Sequence, residues 1–141
     1  MVKWAGWMIT LAGIGHTLGS LLQAAPDHAG TWFDGLWNSG AYPEMSDATV
    51  AWWYSMYSFG PPLLLIGLTV LWLERRGVTP PLFIPWAVAA WVVVGFVVDG
   101  PSPLLVLLVA AGLLLAGARR ARRRESAPHE AGTASAARVE S

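Results

Sequence analysis

Long apolar runs separated by short polar connections dominate this 141-residue chain. The runs predict four helices, at residues 4–23, 48–73, 82–98 and 101–118. A membrane-spanning helix needs about 20 residues, with a range of about 17–25. The first two runs meet this length easily and the last two reach its lower limit. Because the stretch from Leu104 to Ala118 has no polar side chain, it is typical of a lipid-facing helix rather than an amphipathic soluble one.

The composition supports a membrane protein. Hydrophobic residues make up 55% of the chain and charged residues only 13%, whereas soluble domains are about 25% charged. We therefore predict an all-α integral membrane protein, with a four-transmembrane-helix bundle in residues 1–118. An outer loop is predicted at 24–47, and a basic, then disordered, cytoplasmic tail at 119–141. The absence of cysteine excludes disulfides and thiolate metal sites, and the balanced charge argues against a nucleic-acid partner.

The basic residues predict the orientation in the membrane. Up to residue 124 they occur at Lys3, at the pair Arg75–Arg76 and in a cluster after the fourth run. With four crossings all three places lie on one side, which the positive-inside rule makes cytoplasmic, so both termini are expected in the cytoplasm. The cluster is also expected to bind anionic lipid; it consists of Arg119, Arg120, Arg122, Arg123 and Arg124.

Turn and aromatic residues suggest how the outer side is arranged. In the outer loop, four aromatic or apolar residues spaced i, i+1, i+4 and i+5 predict a short helix at the interface or a lid; they are Trp32, Phe33, Leu36 and Trp37. Ser46 or Asp47 is expected to cap the second helix. The prolines at 61–62 are expected to kink it.

Polar residues are concentrated on the first helix. His16, Ser20 and Gln23 follow at i, i+4 and i+7 and share one face. A polar group in the hydrocarbon layer needs a partner or a function, and imidazole can bind a ligand or carry a proton. Gly15 and Gly19 form a small-xxx-small pair on the adjacent face, which lets another helix approach closely.

The second and third helices supply partners for His16. Tyr54 and Ser58 are four residues apart and are predicted to close a polar pocket against His16. Trp91 lies near the middle of the third helix, either in the core or as a wall of that pocket. His16 is then either a buried histidine bonded to a neighbouring helix, or a ligand-contacting, acid–base residue.

Several named chemistries lack a required residue. A bis-histidine haem site needs a second histidine within the membrane, and a thiol oxidase needs cysteine. An intramembrane metalloprotease needs His-Glu-x-x-His on a helix. Small four-helix multidrug exporters need a carboxylate in the first helix, and this helix has none. No cofactor and no metal are predicted.

Short motifs rich in Gly, Pro and Trp carry a family resemblance. They are Trp4-Ala5-Gly6, Gly13-Ile14-Gly15-His16, Ser58-Phe59-Gly60-Pro61, the run Leu63 to Leu68, Pro81 and Trp86. Together they resemble a family of small four-helix bacterial inner-membrane proteins classed as a domain of unknown function, over about residues 1–118. The resemblance implies a bacterial membrane location and a four-helix fold. It implies no activity.

Two hypotheses for function follow. The first is binding, with acid–base conversion as an extension, of a lipophilic small molecule in a polar pocket around His16. The alternative is a non-catalytic structural or accessory module, or a homo-oligomer, that associates through Gly15 and Gly19. A transporter is less well supported, because no embedded carboxylate or inverted repeat is visible.

Overall fold

The computed structural model describes residues 1–35 and 45–139, with side chains up to Arg124 except at positions 35 and 99. These residues form helices and no strand, so the prediction of an all-α fold is confirmed. The elements are α1 (Val2–Gly35), α2 (Asp47–Ser55), α3 (Gly60–Arg75), α4 (Phe83–Asp99), a 3-10 turn (Pro103–Leu105) and α5 (Val106–Val139). Three segments are long and apolar enough to cross a membrane: Val2–Asp34, Asp47–Arg75 and Pro103–Arg124. Phe83–Val98 is apolar but shorter.

Helix α1 is longer than predicted. It continues through Pro26 to Gly35, so the prediction of a loop was wrong for residues 24–35. At 1.5 Å per residue its 34 residues extend about 51 Å, well beyond a hydrocarbon core of about 30 Å. A tertiary contact holds the extension, since the Trp32 indole N–H donates to the Ala48 carbonyl at 2.8 Å. The Trp32 ring also meets the Trp52 ring edge-on, with centroids 5.4 Å apart.

The predicted short outer helix is therefore wrong for its first half. Trp32 and Phe33 belong to α1 itself, and the Phe33 side chain is 90% exposed. Leu36 and Trp37 lie outside the described residues.

The second apolar run is interrupted rather than kinked. α2 ends at Ser55 and α3 begins at Gly60, so the single predicted helix with a bend at residues 61–62 was wrong. Both prolines occupy the first turn of α3, where the missing N–H has no helical partner in any case. In one continuous helix each proline would remove a main-chain hydrogen bond and its ring would clash with the carbonyl four residues earlier, so the break lies before the pair.

The helix ends follow ordinary capping chemistry. Ser46 caps α2 with extended backbone angles and accepts a bond from the Thr49 amide, as predicted. Gly100 follows α4 with φ +81°, a conformation that glycine adopts without strain. Ser102 accepts a bond from the Leu104 amide at the start of the 3-10 turn.

Helix α5 runs to Val139, through the residues predicted to be disordered. The segment after residue 118 is rich in Ala, Arg and Glu, which have high helix propensity. Low hydrophobicity alone, on which the prediction of disorder rested, does not oppose helix formation.

The chain divides into two compact units, and the first covers Gly6–Thr69. In this unit α1 and α3 approach through their backbones. A Cβ at Gly13 would lie 2.5 Å from the Leu64 nitrogen and 2.7 Å from the Gly60 oxygen. A Cβ at Gly67 would lie 2.5 Å from the Thr10 nitrogen. Glycine on both helices is what permits this contact.

The second unit comprises Met1–Ala5 and Val70–Ser141. Here α4 packs against α5 and the 3-10 turn. Buried apolar residues recur at helical spacing on both helices, as expected for packed faces. They are Val88 and Val92 on α4, and Leu107, Ala111, Leu114 and Ala118 on α5.

Candidate functional site around His16

His16 faces the break between α2 and α3. Its Nε2 atom lies 2.9 Å from the Ser58 hydroxyl oxygen, and both side chains are half-buried. The imidazole also stacks against the Phe59 ring, with centroids 3.8 Å apart. The main-chain carbonyl of Tyr54 is a further hydrogen-bond partner of the ring. One histidine therefore contacts the last turn of α2 and the connection to α3.

The local sequence explains why Ser58 is available to His16. Ser55, still within α2, donates its hydroxyl to the Ala51 carbonyl at 2.7 Å, as helical serines often do. Ser58 lies in the non-helical connection and bonds the imidazole instead. Gly60 is also required, because a Cβ there would clash with Thr17 and lie 3.3 Å from the His16 Cδ2 atom.

The position of the imidazole proton decides the direction of the hydrogen bond between His16 and Ser58. A carbonyl only accepts hydrogen bonds, so the ring nitrogen facing the Tyr54 carbonyl carries the proton. With Nδ1 protonated, Nε2 of the neutral imidazole accepts and Ser58 donates its hydroxyl proton to it; with Nε2 protonated, the direction is reversed. A hydroxyl bonded to an imidazole whose other nitrogen is held in place is the arrangement by which proteins activate a hydroxyl group.

Other predicted site residues are placed differently. Ser20 is half-buried one turn along α1 from His16, and Gln23 is exposed. The Tyr54 side chain is 70% exposed, one residue before the end of α2, and closure of the pocket by its phenol stays a prediction. Only the main chain of Tyr54 meets His16. Trp91 lies on α4 in the second unit with a 39% exposed side chain.

A model of a family of unknown function, DUF6463, matches residues 1–121. The chain belongs to the DUF6463 family. This confirms the resemblance to a domain of unknown function. No curated protein and no solved structure matches the chain.

Two contacts of this DUF6463 protein, those of Phe59 and those of Trp32, were not predicted from the sequence. Phe59 lies outside any helix, so no periodicity assigned it a face. The Trp32 contacts with α2 were hidden because the polar stretch after Gln23 predicted a loop. The signal for the first was the Ser-Phe-Gly-Pro string itself, since Gly60-Pro61 marks a helix boundary and leaves Phe59 just outside α3.

The small-xxx-small pair of α1 is not used in the described structure. A Cβ at Gly15 or Gly19 would meet nothing within 4 Å. The intramolecular contact of α1 uses Gly13 instead, two residues away on a different face. Among the described residues no group of three His, Asp or Glu side chains is placed to hold a metal ion.

Proposed function

We propose that this DUF6463 protein is a multi-pass protein of the bacterial inner membrane, with four crossings and both termini in the cytoplasm. Its apolar surface supports this placement. Only 22–28% of the most apolar window of each long span is buried within the chain. Large apolar side chains therefore point outward, as at Leu22, Leu65 and Val97. Soluble monomers rarely expose so large an apolar surface.

The shorter helix α4 completes the proposed topology. Its 17 residues extend about 26 Å, slightly less than the hydrocarbon core. A mismatch of this size is accommodated by local thinning of the bilayer. With α4 crossing, Lys3, the pair Arg75–Arg76 and the arginines of α5 all lie on the cytoplasmic side.

Single cysteines test this topology directly, because the chain has none of its own. The variants Ser46→Cys, Ser102→Cys and Ser126→Cys are labelled in intact spheroplasts with a membrane-impermeant maleimide. We expect labelling at 46 and 102, and labelling at 126 only after permeabilisation. Labelling at 126 in intact spheroplasts would overturn the four-crossing arrangement.

We further propose that the protein binds a lipophilic small molecule at the His16–Ser58 pair. The observation that carries the proposal is the 2.9 Å hydrogen bond beside the helix break. Both groups are half-buried rather than sealed in a core, so a ligand can reach them. Ser20 and Gln23 extend the polar face of α1, and Trp91 remains a proposed wall residue. An ionisable side chain within a membrane span is energetically costly and therefore marks a candidate functional site.

The pair offers a ligand two kinds of interaction. The Ser58 hydroxyl can turn from Nε2 to donate to a ligand carbonyl, and the freed Nε2 can then accept a proton from a ligand hydroxyl or an acidic C–H. The Phe59 ring, stacked on the imidazole, supplies an apolar surface beside these groups. A small lipophilic molecule with one oxygen function fits this chemistry.

Comparison of co-purified molecules tests the ligand proposal. The wild type, His16→Ala and His28→Ala are purified in mild detergent, and their organic extracts are analysed by mass spectrometry. His28→Ala is the matched control, since it removes the other histidine of α1. A lipophile should be present in the wild type and control and depleted in His16→Ala. Equal content in all three proteins rejects His16 as the anchor. His16→Gln, which keeps a hydrogen-bonding side chain, checks that loss of ligand does not reflect misfolding.

Self-association is the second candidate function, and the open Gly15–Gly19 face favours it. Small residues with nothing opposite them allow a helix from a second copy to approach closely. We expect Gly15→Leu combined with Gly19→Leu to convert a dimer into a monomer in light scattering of the detergent-solubilised protein. Gly95→Leu, at another position with open space, is the control. A monomeric wild type excludes this function.

A further inference from the structure

A cavity of about 290 Å³ lies in the second unit, between the end of α3 and the middle of α5. Its charged lining residues are Glu74 from α3 and Arg120 and Arg124 from α5. The turn after α3 and the first two residues of the chain supply the rest of the wall. This volume is near the lower end of the range of about 300–1,000 Å³ for small-molecule sites. It suits a headgroup-sized molecule.

The turn after α3 shapes one side of the cavity. Gly77 adopts φ +69°, and its amide bonds the Glu74 carbonyl at 3.0 Å while the Val78 amide bonds the Leu73 carbonyl at 3.0 Å. These bonds end the helix and turn the chain sharply, as glycine-terminated helices commonly do. Glu74 and the residues after Gly77 therefore face the same space.

One face of α5 forms the other side. Gly117, Arg120 and Arg124 follow at helical spacing and all line the cavity, together with Ala121. Gly117 allows Val2 to approach, because a Cβ at 117 would lie 2.7 Å from a Val2 methyl group. The remaining arginines of the cluster do not line the cavity. The five arginines are thus not equivalent in position.

The charges select the kind of ligand. Two guanidinium groups on one helix face are suited to a phosphate, which they can bind through paired N–H donors. A headgroup with only negative charge would be repelled by the nearby Glu74 carboxylate. A zwitterion can pair its phosphate with the two arginines and its ammonium group with Glu74. We infer that this cavity binds a phosphoethanolamine group, with its phosphate at Arg120 and Arg124 and its ammonium at Glu74.

Two sources carry this chemistry. One is the headgroup of phosphatidylethanolamine, whose acyl chains would lie beside the apolar part of α5; this source rests on the proposed membrane placement. The other is free phosphoethanolamine, which requires no membrane. Failure of the cysteine-labelling test would therefore remove the lipid source and leave the cavity itself to be judged by binding.

Native mass spectrometry of the full-length protein in mild detergent tests the inference. The probes are phosphatidylethanolamine, phosphatidylglycerol and phosphatidylcholine with identical acyl chains. We expect the wild type to prefer phosphatidylethanolamine over each of the others by about tenfold. Arg120→Ala with Arg124→Ala should weaken that binding by about tenfold to a hundredfold, the usual effect of losing charge-assisted hydrogen bonds. Glu74→Gln should abolish the preference over phosphatidylglycerol while leaving phosphate binding.

Arg119→Ala with Arg123→Ala is the matched control, because it removes the same charge from the same helix away from the cavity. An equal loss in this control would show diffuse attraction to anionic surfaces and overturn the site. A wild type that prefers phosphatidylglycerol would overturn the zwitterionic assignment. Displacement of the lipid by millimolar phosphoethanolamine, or binding of phosphoethanolamine alone, supports recognition of the headgroup. Displacement of bound lipid identifies the headgroup of phosphatidylethanolamine as the ligand, whereas binding of phosphoethanolamine without lipid shows that the free molecule is sufficient. Circular dichroism of each variant verifies that helix content is unchanged.

Discussion

The contact between α1 and α3 makes a sharp prediction about two glycines on the same helix. Gly13→Ala should destabilise the protein, whereas Gly15→Ala should stabilise it. A methyl group at Gly13 would lie 2.5 Å from the Leu64 amide nitrogen, but one at Gly15 would meet nothing within 4 Å. The two changes are otherwise chemically identical and only two residues apart.

The magnitudes follow from the geometry. Ordinary contact of a Cβ begins at 3.4 Å, so the helices must separate by about 0.9 Å at Gly13. A gap of about 0.5–1 Å already loses a quarter to a half of the dispersion energy of the facing atoms. Overpacking costs about 1–3 kcal/mol, and the upper end applies because the obstructing atoms are backbone. Replacing Gly by Ala in a helix gains about 1 kcal/mol. The net expectation is a loss of about 2 kcal/mol for Gly13→Ala and a gain of about 1 kcal/mol for Gly15→Ala.

The assay is equilibrium unfolding in mixed micelles of mild detergent and sodium dodecyl sulfate, followed by tryptophan fluorescence. Dilute protein keeps self-association out of the measurement. Gly67→Ala, on the opposite helix, should resemble Gly13→Ala because its Cβ would lie 2.5 Å from the Thr10 nitrogen. If Gly13→Ala and Gly15→Ala shift the free energy of unfolding in the same direction, the close approach of α1 and α3 is refuted.

Three further changes test single hydrogen bonds, each worth about 1 kcal/mol. Trp32→Phe removes the indole N–H that bonds Ala48 but keeps an aromatic ring beside α2. We expect faster amide hydrogen exchange across residues 47–55. Unchanged exchange there would contradict the contact. Ser46→Ala removes the cap of α2 and should lower the unfolding free energy by about 1 kcal/mol, whereas Ser46→Asp should retain it. Ser58→Ala should cost about 1 kcal/mol through the lost bond to His16, and a thermal shift as small as that of Ser20→Ala would argue against that bond.

Much of the local structure could be predicted from the sequence. The apolar runs located every long helix, because continuous hydrophobicity over about 17–25 residues has few structural solutions. Helix α4 begins and ends within one residue of the prediction. A cap at Ser46 or Asp47 followed from side-chain chemistry, since an oxygen before an apolar run satisfies the free amides of the first turn, and the structure uses Ser46.

Helix ends that depend on tertiary contacts were not predictable in this way. The extension of α1 to Gly35 is held by the Trp32 contacts with α2, which connect residues far apart in sequence. The break at residues 56–59 depends on the two prolines that follow it and on the hydrogen bond between Ser58 and His16. The spacing of apolar residues within one segment carries no information about contacts with another segment, so it predicted neither of these helix ends.

The faces of α1 illustrate the same difference between local pattern and tertiary contact. The residue pattern of α1 was sufficient to predict a helix, to place His16 on its polar face, and to show two faces where glycine allows another helix to approach closely. The pattern could not show that Gly13, rather than Gly15 and Gly19, meets α3, because that depends on how the two helices pack. The physical cause is that two backbones approach closely only where a glycine faces the other helix, and Gly13 faces Gly60 and Leu64, as Gly67 faces Thr10, only once α3 is in place.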